Sequence, residues 1–292
     1  MPADPRCFAS HLGLVACEPR KFSEAVSLVR AGLWPMRATA PSTEAEAPDA
    51  NPYRVVGEGV GLLALSGILQ KGPSKFSGTT STAMARRQVR AMVADEKVQS
   101  ILLVIDSPGG YVGGTEDLAA DVRAANEVKP VTAYIEDEGA SAAYWIASQA
   151  GKVYANASAF VGSIGVFAVV ADLSKAVEAE GVTVHLLTTG PLKGAGAPGT
   201  PVTDAMLAQW QGEVDATMSH FTAAVRAGRS MGAKEFGEVA TGAVWIASEA
   251  KSMGLIDGVR TLDEVVMKMP KPSKPRYRRA DAAIRLAELG DA

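Results

Sequence analysis

The stretch Ser100-Ile-Leu-Leu-Val-Ile-Asp106-Ser-Pro-Gly-Gly110 decides the fold. Residues Ser100–Ile105 form a continuous apolar run of strand length, the pattern of a strand buried on both faces in a parallel sheet. The run then meets a proline, which donates no backbone N–H, and paired glycines, which reach conformations barred to other residues. Such a turn can aim consecutive N–H groups at one point, as an oxyanion hole requires. It reads equally well as a plain tight turn.

Strand and helix signals alternate outward from this point. Upstream, Gly59–Leu65 reads as a strand, and Thr80–Asp95 carries Ala83, Val89, Met92 and Val93 at helical spacing. Downstream, Thr115–Ala125 reads as a helix opening with Glu116 and Asp117, which suit a positive helix N-terminus. Lys129-Pro130 introduces a strand at Val131–Ile135, and a helix follows Ser141 to about Ala150. Strands are expected at Val153–Ala155, Ile164–Val170 and Thr183–Leu187, with a helix at Leu173–Ala179. Beyond a Gly/Pro-rich loop, Gly190–Pro201, a long helix fits Thr203–Ala227. This order indicates an α/β fold with a largely parallel sheet and helices outside it.

Three regions are expected. Residues 1–52 read as an N-terminal extension with a short amphipathic helix at Phe22–Leu33 and an Ala/Pro/Glu-rich linker at Ala38–Pro52. Residues 53–267 form the main domain. Residues 268–292 form a tail with seven basic residues against three acidic ones, read either as solvated or as a docking element.

Composition narrows the function. The net charge of -3 gives no global field toward nucleic acid or an anionic membrane. The first 30 residues lack a signal-peptide block, and no apolar run approaches the ~20 residues of a membrane span. Two cysteines, Cys7 and Cys17, cannot build a disulfide framework and read as reduced thiols of a cytoplasmic protein. No metal or organic cofactor is implied.

A second strand-end motif is Gly139-Ala-Ser141-Ala-Ala143. Small neighbours let a substrate backbone approach the Ser141 hydroxyl, and the following helix would turn its positive end toward an oxyanion. A serine there is also a common N-cap. A serine nucleophile needs a base. His185 lies in an apolar strand and His220 in a helical pattern, neither beside a small-residue turn. Lys193, in Gly190-Pro-Leu-Lys193-Gly-Ala-Gly196, has no carboxylate close in sequence. Burial among apolar groups would favour its neutral form, whereas a solvated loop lysine would stay charged.

The ordered set formed by Asp106–Gly110, Gly139-Ala-Ser141-Ala-Ala-Tyr144, Val161-Gly-Ser-Ile-Gly165, Lys193 and Ala250-Lys-Ser-Met-Gly-Leu-Ile-Asp257 resembles the signal peptide peptidase A family. These are Ser–Lys peptidases of the crotonase/Clp protease-like fold, with repeated ββα units. The resemblance covers Val60 to about Val266. It implies Ser141 as nucleophile, Lys193 as general base, backbone N–H groups at Gly109 and Gly110 as oxyanion hole, and Ser163 as the residue orienting the lysine. It further implies that Ile164, Gly165 and Val166 open a strand that pairs with an extended substrate. The loop Pro191–Ala195 lacks the aromatic and charged residues often found around the lysine in the family, which leaves substrate preference at that wall open.

Anchored relatives degrade signal peptides. Phe8–Pro35 and Gly59–Ala94 look more like the phage capsid-assembly branch, which implies a head-maturation protease acting on scaffold or portal-associated protein. A soluble signal-peptide or general cytoplasmic peptidase and an inactive capsid-assembly scaffold are the alternatives. A Clp-type triad lacks its downstream histidine, and acyl-CoA hydratase chemistry gives the Ser141/Lys193 pair no role. By fold analogy the chain is expected to form a homo-oligomer.

Overall fold

Strand β6 (Ser100–Ser107) lies inside the main sheet and is buried along almost its whole length in the computed structural model, which describes residues 15–17, 53–72 and 78–269. Its two faces explain its apolar run. Ile101, Leu103 and Ile105 enter the main core, whereas Leu102 and Val104 enter a smaller cluster with Val60, Tyr134, Val265 and Met269. Each fully buried Ile or Leu contributes roughly 1.5–3 kcal/mol relative to exposure. A sheet covered on both sides therefore tolerates no alternation of polar residues along this strand.

Around β6 run β3 (Val60–Ser66), β8 (Val131–Ala140) and β10 (Phe160–Gly162), all parallel in the order β3-β6-β8-β10. Antiparallel β2 (Arg54–Val56) and β11 (Val244–Ile246) close the two ends. Strand β9 (Lys152–Ala155) pairs with the first half of β8, and β12 (Gly258–Val259) pairs with β9. A second, four-stranded sheet has the order β1-β7-β4-β5, formed by Val15–Cys17, Gly109–Tyr111, Ile68–Gln70 and Thr79–Ser81.

The first two units share one plan. A long strand of the main sheet passes into short strands of the second sheet and then a helix, α1 (Thr82–Ala94) after β3 and α2 (Thr115–Val128) after β6. With α3 (Ala142–Ala147) after β8, this is an α/β architecture with a largely parallel main sheet. Helices α1 and α2 are tied by Asp121, almost fully buried, which receives Arg86 at 2.8 Å and Arg90 at 3.1 Å. Buried Lys129 donates to the Met92 and Asp95 carbonyls at 2.7 and 2.6 Å, neutralising the negative end of α1.

The chain continues through α4 (Ser174–Ala179), the long α5 (Asp204–Arg229), α6 (Ala233–Val239), α7 (Ala247–Ser252) and α8 (Leu262–Lys268). Two expected strands do not form. Strand β10 ends at Gly162, because Ser163 takes a positive φ of 51° and turns the backbone out of the sheet. Apart from a single bridge at Phe167, residues 163–170 are irregular, and Thr183–Leu187 is irregular and exposed throughout. Apolar alternation alone does not make a strand where the chain offers no edge to pair with. The amphipathic helix expected at Phe22–Leu33, the linker at Ala38–Pro52 and the tail beyond Met269 lie outside the described residues.

Candidate active site

The strand-end motifs converge at the carboxyl ends of β6, β8 and β10. Ser107 lies opposite Gly139 across β6 and β8, and Gly139 and Ala140 lie opposite Val161 and Gly162 across β8 and β10. In open α/β sheets this end collects ligand and catalytic groups.

At β6, Pro108 interrupts the ladder and Gly109 adopts φ 97°, which swings the chain into β7. Ser107 locks the turn, its Oγ donating to the Gly67 carbonyl at 2.6 Å and accepting the Gly109 N–H at 3.2 Å. Gly110 is required for closeness, since a Cβ there would collide with the Leu69 backbone of β4. The motif is thus a locked turn, with a long hydrogen bond from the Gly109 amide to Ser107.

At β8, Ser141 is fully buried with φ 53° and ψ −118°. An N-cap serine has extended backbone and caps the helix through its side chain. Ser141 does neither, making no capping bond to α3, so the N-cap reading is excluded. Strained non-glycine backbone of this kind costs of order 1–3 kcal/mol and clusters at functional sites. The surroundings enforce it. The Ser141 N–H donates to the Gly162 carbonyl at 2.8 Å, and its own carbonyl accepts Trp145 N–H at 2.8 Å. Its Oγ lies 3.5 Å from the Gly165 carbonyl, a weak contact that leaves the hydroxyl available. The helix behind it is fixed by Tyr144 Oη donating to the Leu255 carbonyl at 2.7 Å and by Trp145 stacked on Phe221 at 4.6 Å. Burial pushes the Tyr144 hydroxyl pKa up, so it stays a neutral donor.

Ser163 is buried beside this serine, its N–H donating to the Ala243 carbonyl at 2.6 Å. Ile164 points into the core, and its carbonyl accepts Gly242 N–H at 3.2 Å, while Gly165 and Val166 are half-buried. The segment 241–243 is therefore a support that sequence reading missed. Its only signal is the Gly242 that supplies a positive φ of 76°.

Lys193 stands apart. It is exposed, and among the described residues its ammonium makes no hydrogen bond to Ser141 or Ser163. The loop carrying it is ordered by turns, Thr188 Oγ1 donating to the Lys193 carbonyl at 2.8 Å and Lys193 N–H to the Gly190 carbonyl at 3.1 Å. Asp172 braces the base of this region by accepting Val202 N–H at 3.0 Å and both the hydroxyl and N–H of Ser174. The Ser174 hydroxyl and the two amides hold its carboxyl down to about 2. Around the loop Val170, Val182, Leu186, Leu187 and Leu192 are exposed. The burial expected around the lysine is not supplied by the described residues. Among the described residues neither His185 nor His220 bonds Ser141 either, and His220 is engaged by Glu116 at 2.9 Å.

Residues 123–275 match the family model of peptidase family S49. The chain is 28% identical over 221 residues to Protease 4 of Salmonella typhi, covering 74% of this chain and 35% of that one. It is 30% identical over 211 residues to capsid assembly protease C of Escherichia phage lambda, covering 71% and 48%. The chain thus spans between about a third and a half of the length of these relatives. Among solved structures, the 1510-N membrane-bound stomatin-specific protease aligns with a TM-score of 0.43 at 13% identity, over 76% of this chain and 92% of that one. No described helix is long and apolar enough to cross a membrane.

Proposed function

The chain belongs to peptidase family S49, and from that premise we propose that it is a serine endopeptidase with Ser141 as nucleophile and Lys193 as general base. One observation carries the reading. Ser141 is held in strained backbone, uncapped, where three motif-bearing strands end. Strain without a structural use fits a residue positioned for attack.

In this mechanism Ser141 Oγ attacks the scissile carbonyl while neutral Lys193 accepts its proton. The oxyanion takes hydrogen bonds from the Gly109 amide, exchanged from its long bond to Ser107, and from the neighbouring Gly110 region. The uncapped Ala142 amide next to the nucleophile is a further donor. Collapse breaks the C–N bond, the lysine passes its proton to the leaving amine, and water then hydrolyses the acyl-enzyme. Ser163 orients the lysine, and the half-buried Gly165–Val166 segment borders the substrate.

Lys193 reaches Ser141 through a rearrangement of its loop on assembly with a second copy. The exposed Leu187 and its apolar neighbours support that contact, because covering them would also desolvate the lysine. Capsid scaffold or portal-associated protein is the substrate class favoured by the likeness to the lambda protease. A general peptidase is the second reading, favoured by the likeness to Protease 4.

The test compares cleavage of casein and of a capsid scaffold protein by wild type, Ser141→Ala and Lys193→Ala. Loss in both variants is expected. Full activity of Lys193→Ala removes the dyad, and an inert wild type on both substrates leaves an inactive scaffold.

A further inference from the structure

Strand β1 lies antiparallel along β7, with Val15 opposite Tyr111, Ala16 opposite Gly110 and Cys17 opposite Gly109. The other edge of β7 is taken by β4, where Leu69 faces Gly110. Residues 15–17 therefore fill the one remaining edge of the strand that carries both candidate oxyanion glycines. Their direction is equally telling. The segment runs from Tyr111 toward Gly109, the end at which Ser107 and Gly139 bring β6 beside the strand leading to Ser141. An extended peptide pairing antiparallel with β7 has to run the same way, and delivers its carboxyl-side carbonyl to the same place.

We propose that residues 15–17 are a tethered competitor that occupies the substrate edge of β7 until an incoming peptide displaces them. The proposal rests on the peptidase reading above for what the edge is used for. Such pairing is made by backbone groups, so it demands no particular side chain and an unrelated peptide can exchange with it. Three residues make a short ladder, weak enough to open. Tethering nonetheless gives it an effective concentration near the millimolar range, so free peptide has to compete.

The test uses the full chain. Consecutive N–H groups in a strand point to opposite edges, so one of Val15→Pro and Ala16→Pro removes an N–H that faces β7. Hydrogen exchange at Gly109–Tyr111 reports release of the strand, and peptide cleavage reports its effect. The expected result is faster exchange and a KM lowered about tenfold at similar kcat, as removal of a tethered competitor requires. A synthetic peptide of residues 10–22 then raises the apparent KM of the released variant competitively. Faster exchange with unchanged KM overturns the competitor and leaves the peptidase reading standing. Unchanged exchange in both variants overturns it as well, by showing that β1 does not protect this edge. If every form is inert, the peptidase reading fails and binding decides the competitor. Fluorescently labelled peptide 10–22 should bind the released chain more tightly than the wild-type chain, and equal binding overturns the proposal.

Discussion

The amide of Ser141 donates to the carbonyl of Gly162 at 2.8 Å, so the candidate nucleophile is pinned to the end of the adjacent parallel strand. Gly162 itself has φ 129°, and a Cβ there would press on Trp245 and the Ala243 carbonyl. Two motifs far apart in sequence thus hold each other in conformations that neither would adopt alone.

That relation separates strain from chemistry. Glycine accepts φ 53° freely and alanine does not. Ser141→Gly and Ser141→Ala both lose the hydroxyl and both should be inactive. The glycine variant should be more stable by about 1 kcal/mol, from strain relieved against added chain entropy. Urea unfolding of the two variants checks this. Equal or lower stability of the glycine variant would mean the backbone is unstrained.

Lys193 can act as a base or as a fixed positive charge, and arginine distinguishes the two because it keeps the charge and does not deprotonate. Lys193→Arg should lose about 10²–10⁴-fold in kcat, the span of general base catalysis. Retained activity would assign the residue a purely electrostatic role.

Leu187 is 94% exposed, and the proposed assembly with a second copy would cover it. Leu187→Glu should convert an oligomer to monomer in light scattering and lower activity in parallel, while leaving the fold intact. An unchanged mass would place the interface elsewhere.

What the sequence made legible followed from local chemistry. The apolar run of β6 marked the strand and the small residues flanking Ser141 marked the candidate site, because burial on two faces and close backbone approach restrict residue choice at those points. The residues 164–170 and 183–187 misled, since Val-rich alternation reports surface fit and not the presence of a pairing edge. The support of Ser163 by Ala243 was hidden because a backbone carbonyl leaves no mark on residue type. The short strands β4, β5 and β7 were invisible for a related reason. Their three-residue ladders depend on partners brought by the fold and carry no period of their own.

Asp257 ties β9 to the end of α5. It accepts Lys152 Nζ, Val153 N–H and Arg229 Nη1, each at 2.9 Å. Burial pushes its carboxyl upward, but the Lys152 and Val153 hydrogen bonds and the Arg229 charge outweigh it, so it sits below the ordinary value. Asp257→Asn leaves Arg229, which is 10% exposed, without its charge partner and should cost about 1–3 kcal/mol at pH 7. A depressed carboxyl stabilises above its unfolded pKa, and that contribution fades as pH falls through the folded value. The gap between wild type and variant in urea unfolding should therefore shrink below about pH 4. A gap independent of pH would assign the loss to packing.

Asp172 should show the same sign more locally, next to the lysine loop. Its carboxyl sits at about 2, held down first by the Ser174 hydroxyl and then by the Val202 and Ser174 amides. The unfolded value is near ~3.9, so the brace is complete above it and is lost only as pH falls toward the folded value. Hydrogen exchange at Val202, measured relative to its intrinsic rate, should thus stay protected at pH 5 and lose protection between about pH 4 and 2. Asp172→Asn removes the charge that three donors share, so its Val202 amide should already exchange fast at pH 5. If the loop from 188 to 199 is positioned through this brace, the variant should also raise KM while sparing the unfolding midpoint, since the carboxylate is at the surface. A shifted midpoint with unchanged KM would make Asp172 a stability residue unconnected to the site.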